Sequence, residues 1–326
     1  MNTKLPKIQE TQFEELVEHY FQGTQKAIDQ AHEEFNFYLS QKKLKKIPCT
    51  FRHTQILQEL LTWLSPYSIV NKTEEVNRFF YLKDKFLIKD LVYGRRGSCI
   101  AFTSLFLGLS RRMSIKVKAA NVLISANNEE LKYDPEGHVC AVDKKKRHWD
   151  CLYMGGNISS QHHKIQVLTD EQLVASILTN HASTLGKDVR PGTKIYFLKE
   201  AIKLDSQNIH ALLNLGAYYT LNNFHPSYAL KIYKKVVEND PKHARAWSRL
   251  GEQYEDLGIK RLAINCYEKS ISIKPTEETL FKIIMIYFEN KNYESALKAC
   301  TKFLMINPNH VGIKEKYEEL RKKVLE

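Results

Sequence analysis

A repeating pattern in the last third of the chain limits what it can fold into more than any other feature. Trp247, Leu250, Gly251, Tyr254, Ala263, Tyr267 and Pro275 mark one copy. Leu212, Leu215, Gly216, Tyr219, Ala229, Tyr233 and Pro241 mark the copy before it, with one residue inserted around His225-Pro226. A more degenerate copy follows through Leu280, Ile283, Ile284, Tyr287, Ala296, Cys300 and Pro308. The spacing predicts helical hairpins. Gly216, Gly251, Ala229, Ala263 and Ala296 fall where two helices cross closely, large side chains fill the groove beside them, and prolines separate one hairpin from the next. A lone hairpin of this kind cannot bury its apolar face, so the hairpins must stack, and the stack presents a concave surface.

The W-x2-L-G-x2-Y…A-x3-Y…P order is identified as that of tetratricopeptide repeats. The expectation is an all-α solenoid over residues 193–326, with units at about 209–242, 243–276 and 277–309. Residues 193–206 supply a helix ahead of the first unit, and 311–325 a polar helix that closes the array. The resemblance implies a protein or peptide partner on the concave face. One variety of these repeats grips acidic peptide tails with Lys, Arg and Asn on successive first helices. Asn214, Arg245 and Arg249 are candidates for that role, though they form an incomplete set.

The chain of 326 residues has room for two domains, and 43% hydrophobic with 11% aromatic residues is the composition of a folded protein. No apolar run reaches the roughly 18 residues that a membrane helix needs. The start runs directly into Glu10 and Glu14, with no apolar leader. The expectation is a cytoplasmic protein with no membrane partner. Six cysteines without C-x-x-C spacing predict neither a disulfide framework nor a zinc site. The net charge of +12 is diffuse, with +6 in residues 1–192 and +6 in 193–326. No nucleic-acid-binding motif accompanies it, which argues against a nucleic-acid partner. The excess still favours acidic partners at long range.

The first 48 residues read as a helical segment, with a 3.6-period apolar stripe through Phe13, Val17, Phe21, Ala27 and Ala31 across residues 8–40. Residues 49–185 read as an α+β domain. A buried helix is predicted from Cys99 to Met113, then strands over 116–125, 138–142 and 147–152, with a polar turn at Asp143-Lys144-Lys145-Lys146. A helix from Thr169 to about His181 follows, and 182–192 read as the linker.

One constellation in this domain has chemical content. Gly97-Ser98 places Cys99 at a helix start, where unpaired N–H groups and the macrodipole favour a thiolate. His138 opens one strand and Asp150 ends the next. A hairpin centred on Lys144 or Lys145 sets the two nearly opposite, so that the carboxylate can orient an imidazole paired with the thiol. His148, His162, His163 and His181 do not have ligand spacing, and no metal or cofactor is expected.

Cys at a helix start followed by His and Asp on consecutive strands resembles the transglutaminase-like superfamily, which shares this order with papain-like folds. Arg95-Arg96-Gly97-Ser98-Cys99-Ile100, Gly137-His138 and Trp149-Asp150-Cys151-Leu152-Tyr153-Met154-Gly155-Gly156 are similar to the SirB-type bacterial branch, in which tetratricopeptide-like helices commonly follow. The resemblance implies a transglutaminase-like (papain-like) α+β fold. In it Cys99 is the nucleophile, His138 the base and Asp150 the orienting carboxylate, for acyl transfer or amide hydrolysis on a protein substrate. Protease, deamidase and transamidase remain open. So does a non-catalytic scaffold whose α+β domain is inactive.

Overall fold

The computed structural model describes residues 12–41, 49–64, 80–81, 87–94, 96–125, 138–149, 157–158, 163–186, 189–222 and 226–325. The chain divides into two compact units. One comprises Met1–Arg190 with Lys203–Ser206, the other Pro191–Ile202 with Gln207–Glu326.

In the first unit, α1 (Gln12–Tyr20) and α2 (Thr24–Gln41) replace the continuous helix expected over residues 8–40. The break is local. Gly23 takes a left-handed φ of +87°, which glycine adopts without a steric penalty. The Glu18 carboxylate then accepts the N–H groups of Gly23 at 2.7 Å and Gln25 at 2.8 Å, capping the new helix. Next come α3 (Cys49–Leu64), β1 (Phe80–Tyr81), α4 (Ile88–Gly94) and β2 (Arg96–Gly97), with β1 and β2 paired in parallel.

The centre of this unit is α5 (Cys99–Arg112), buried at every position from Cys99 to Ser110, as its apolar sequence predicts. Its last turn carries Arg111 and Arg112, which suit the negative end of the helix dipole. The Arg111 fork donates to both Asp170 oxygens at 2.9 and 2.7 Å. Arg112 reaches Glu14 of α1 at 3.1 Å and Asp29 of α2 at 2.7 Å. These two arginines therefore tie α5 to α1, α2 and the start of α6 (Asp170–Thr184).

A five-stranded sheet in the order β6-β5-β4-β3-β7 is antiparallel throughout. Its strands are β3 (Val117–Ser125), β4 (His138–Asp143), β5 (His148–Trp149), β6 (Asn157–Ile158) and β7 (His163–Val167). The β4–β5 pairs, Ala141 with Trp149 and Val142 with His148, are symmetric about Lys145, in line with the expected turn. Asp143 closes that turn by accepting from the backbone N–H groups of Lys145 and Arg147. The sheet is more than the expected meander, because β7 returns to pair with β3 on its far edge. The expected linker is shorter than the sequence suggests: α6 continues to Thr184, and Pro191 already opens the next helix.

The second unit is all-helical: α7 (Pro191–Leu204), α8 (Ile209–Leu221), α9 (Pro226–Asn239), α10 (Ala244–Asp256), α11 (Lys260–Ile273), α12 (Glu277–Glu289), α13 (Tyr293–Ile306) and α14 (Val311–Leu325). The pairs α8/α9, α10/α11 and α12/α13 are the expected hairpins. The insertion before Pro226 falls at residues 223–225, outside the described residues. Gly216 and Gly251 sit directly against the buried rings of Tyr233 and Tyr267, where an added Cβ would lie only 2.6 and 2.7 Å from ring carbon. One core joins Tyr233, Val236, Ala246 and Leu250, and another joins Tyr267, Leu280, Ile284 and Phe303. Each core includes residues from neighbouring hairpins, so each hairpin completes its burial on the next.

Candidate functional sites

The first helices of the three hairpins, α8, α10 and α12, begin in the same way. Asn208 Oδ1 accepts the Ala211 N–H at 2.9 Å, His243 Nδ1 the Ala246 N–H at 3.2 Å, and Thr276 Oγ1 the Thr279 N–H at 3.2 Å. Asn and Thr are favoured caps, and a neutral histidine with a free Nδ1 lone pair does the same work. Counting from these caps, Asn214, Arg249 and Lys282 occupy the same place on successive helices, as do His210, Arg245 and Glu278. The helices lie side by side along this face: Thr279 Oγ1 donates to Ser248 Oγ at 3.1 Å, and Lys282 pairs with Glu252.

The three residues expected to meet a partner therefore lie on two adjoining helices of one face. Asn214 is half-buried on α8, while Arg249 is half-buried and Arg245 exposed on α10. The charge of Arg249 is already engaged. Its guanidinium is 2.7 Å from Glu252 and 3.9 Å from Glu278. Lys282 contacts the same two carboxylates, lying 3.5 Å from Glu278. Burial works against the Arg249 charge, but the Glu252 hydrogen bond together with the charges of Glu252 and Glu278 outweighs it and raises the pKa above the ordinary guanidinium value. Two cations and two carboxylates thus form a closed, neutral cluster. Beside it on α12, Phe281 (47% exposed) and Met285 (36% exposed) stand one turn apart. Glu252, Glu278, Phe281, Lys282 and Met285 were missed in the sequence. Their common offset from the helix caps was the available signal.

Of the second constellation, Cys99 is the first residue of α5, a free thiol, 7% exposed. Ser98 precedes it in extended conformation and takes the N-cap position, its carbonyl accepting the Phe102 N–H at 3.0 Å. One turn along, Thr103 Oγ1 donates to the Val139 carbonyl at 3.0 Å, fastening the start of α5 to β4. His138 is the residue before Val139, opens β4 and pairs in register with Val122 of β3. The backbone thus carries Cys99 and His138 on two elements joined one turn after Cys99 and one residue after His138. Asp150 lies outside the described residues, and so does the side chain of His138. Elsewhere the thiols of Cys266 and Cys300 sit in the repeat core, where burial pushes each up to about 11. Among the described residues, no three His, Cys, Asp or Glu side chains gather at a metal-binding distance, and no helix is long and apolar enough to cross a membrane.

The family comparison bears on the second unit. A family model described as tetratricopeptide repeat matches residues 244–277 and 278–310. Similar solved structures include two crystal structures of MamA. One is 25% identical, covering 44% of this chain and 81% of that one at a TM-score of 0.37; the other is 22% identical, covering 47% and 90% at 0.39. A third is the crystal structure of TTC0263, a thermophilic TPR protein in Thermus thermophilus, 17% identical over 45% of this chain and 80% of that one at 0.37. No curated protein matches the chain.

Proposed function

We propose that this protein is a cytoplasmic scaffold that holds a protein or peptide partner on the face formed by α8, α10 and α12, with Asn214 and Arg245 among the contact residues. The observation that carries the reading is the alignment of that face. Equivalent caps start the three helices in register, and the Thr279–Ser248 and Lys282–Glu252 contacts hold α10 and α12 side by side. A surface built in this way presents side chains at fixed spacing, which lowers the ordering cost of binding an extended or helical segment. The test selects peptides on the full chain from a random library and measures their affinity for a variant carrying Asn214→Ala, Arg245→Ala and Phe281→Ala. Loss of binding with the helical content intact is expected. Undiminished binding would remove this face from the partner site.

A second reading is favoured by the bond from Thr103 to Val139, which docks the Cys99 end of α5 beside the His138 end of β4. In it the first unit is transglutaminase-like and performs acyl transfer or amide hydrolysis on a protein that the repeats recruit. The Cys99 thiol gives its proton to His138 and attacks an amide carbonyl, forming a C–S bond. The C–N bond then breaks, the amine leaves with the proton from His138, and water or a second amine releases the acyl group from sulfur. Asp150 orients His138. Alkylation rates of each cysteine against pH, read by peptide mass spectrometry, test this reading. Fast reaction of Cys99 below pH 8, abolished by His138→Ala, is expected. A Cys99 as slow as Cys266 and Cys300 would leave the scaffold reading alone.

A further inference from the structure

Resting on the scaffold reading, we infer that the partner segment is anchored by a large apolar side chain seated on Phe281 and Met285, and not by an acidic tail. A clamp for carboxylates needs cations with spare hydrogen-bonding capacity facing the ligand. At the place where such a clamp would stand, Arg249 and Lys282 are both committed to Glu252, with Glu278 beside them. An incoming carboxylate would have to share these two cations with Glu252 and Glu278, whose own charges oppose its approach. Arg245, exposed one turn before Arg249, is a single cation and not a clamp.

The apolar feature is located just as specifically. On α12 the fifth and ninth residues after the cap are Phe281 and Met285; on α10 the equivalent residues are the buried Ser248 and the ion-paired Glu252. On α8 they are Leu213, which is buried in the core, and the small Ala217. At these two positions, therefore, only the third hairpin presents large apolar side chains, one turn apart, among the described residues. A phenyl ring next to a flexible thioether moulds readily to Leu, Phe or Met side chains. The neutral four-residue cluster borders them as a polar rim with no attraction for either sign of charge. The surface thus fits an amphipathic peptide segment with an aliphatic or aromatic anchor and no acidic run.

Random peptides displayed on phage are selected on the full chain, and the enriched sequences are synthesised with a fluorescent label. Their affinities are then measured by polarisation at low and high salt, against wild type, Phe281→Ala, Met285→Lys and Arg249→Ala. All three sites are at least partly exposed, and circular dichroism checks that the variants keep their helices. The expected result is a shared large apolar residue in the selected peptides and a loss of about tenfold or more for Phe281→Ala and Met285→Lys. Arg249→Ala and added salt should each change affinity by less than about threefold. Acidic peptides whose binding falls steeply with salt, and with Arg249→Ala but not Phe281→Ala, would overturn the apolar anchor while leaving the scaffold reading in place. Selected peptides that ignore all three substitutions would overturn both.

Discussion

Replacing Gly251 by alanine probes the packing on which the repeat unit depends. The added Cβ would stand 2.7 Å from Tyr267 Cε1, 2.8 Å from Cδ1 and 3.1 Å from Cζ. Carbon atoms prefer separations of about 3.5–4.0 Å, so the ring or the helix must yield by nearly 1 Å. The ring has nowhere to go: Tyr267 is fully buried, and its hydroxyl donates to Glu255 at 2.7 Å. Overpacking of this kind costs about 1–3 kcal/mol, and the helical preference of alanine over glycine returns at most about 1 kcal/mol. The net loss is about 1–2 kcal/mol, a fall of roughly 3–8 °C in the midpoint of the repeat unit. Gly312→Ala is the control, since its Cβ meets nothing closer than 3.6 Å and the substitution should be neutral or stabilising. Thermal unfolding of the full chain by circular dichroism, with hydrogen exchange assigning the transition to α10 and α11, compares the two. Equal midpoints for Gly251→Ala and Gly312→Ala would refute the close crossing of α10 and α11.

Arg112→Ala should cost about 3 kcal/mol in urea titrations at pH 7, because it strips the nearly inaccessible Glu14 of its counter-charge. Burial already raises the Glu14 pKa against the pull of Arg112, so folding favours the protonated acid, and the cost should shrink as pH falls from 7 towards 5. Burial holds His32, His181 and His243 below their ordinary 6.5; stability from these groups is complete above about pH 6.5 and lost as pH falls through the folded values. His243→Asn keeps the cap and should flatten that slope in the repeat unit, whereas His243→Ala should cost about 1 kcal/mol at pH 7. Asp143, though burial opposes ionisation, is held below its ordinary 3.8 by the hydrogen bonds from Arg147; its contribution should persist at neutral pH and disappear as pH falls below about 4. Lys291 takes a left-handed φ of 58° in the α12–α13 turn, so Lys291→Gly should raise stability by up to about 1 kcal/mol, read from the urea midpoint.

The repeat unit was readable in the sequence because its geometry rests on contacts that recur at a fixed interval. Gly216 with Tyr233 and Gly251 with Tyr267 are the same helix crossing made twice, and the pattern registers the crossing itself. The α5 helix was readable for a related reason, since a run that is apolar on every side has nowhere to sit but the centre. The break at Gly23 was not, because a 3.6-period stripe passes through a short kink with its phase nearly intact. Strand β7 was missed because its pairing with β3 joins residues 38 to 47 positions apart, from Ser125 with His163 to Ala120 with Val167, and no local signal announces such a contact. The face proposed for the partner shows the same contrast. Asn214, Arg245 and Arg249 suggested a site by residue type, but whether a cation is available depends on neighbours from the next hairpin. Glu278 and Lys282 close the cluster from α12, and only the stacking of α10 on α12 reveals it.

The central claim is that the repeat unit holds its partner on the face of its first helices. Hydrogen exchange of the full chain with and without a peptide selected on it, followed residue by residue, is the most direct test. Slowed exchange confined to segments 209–221, 244–256 and 277–289 is the expected result. Protection of segments 226–239, 260–273 and 293–306 instead, or of none of the six, would contradict the claim.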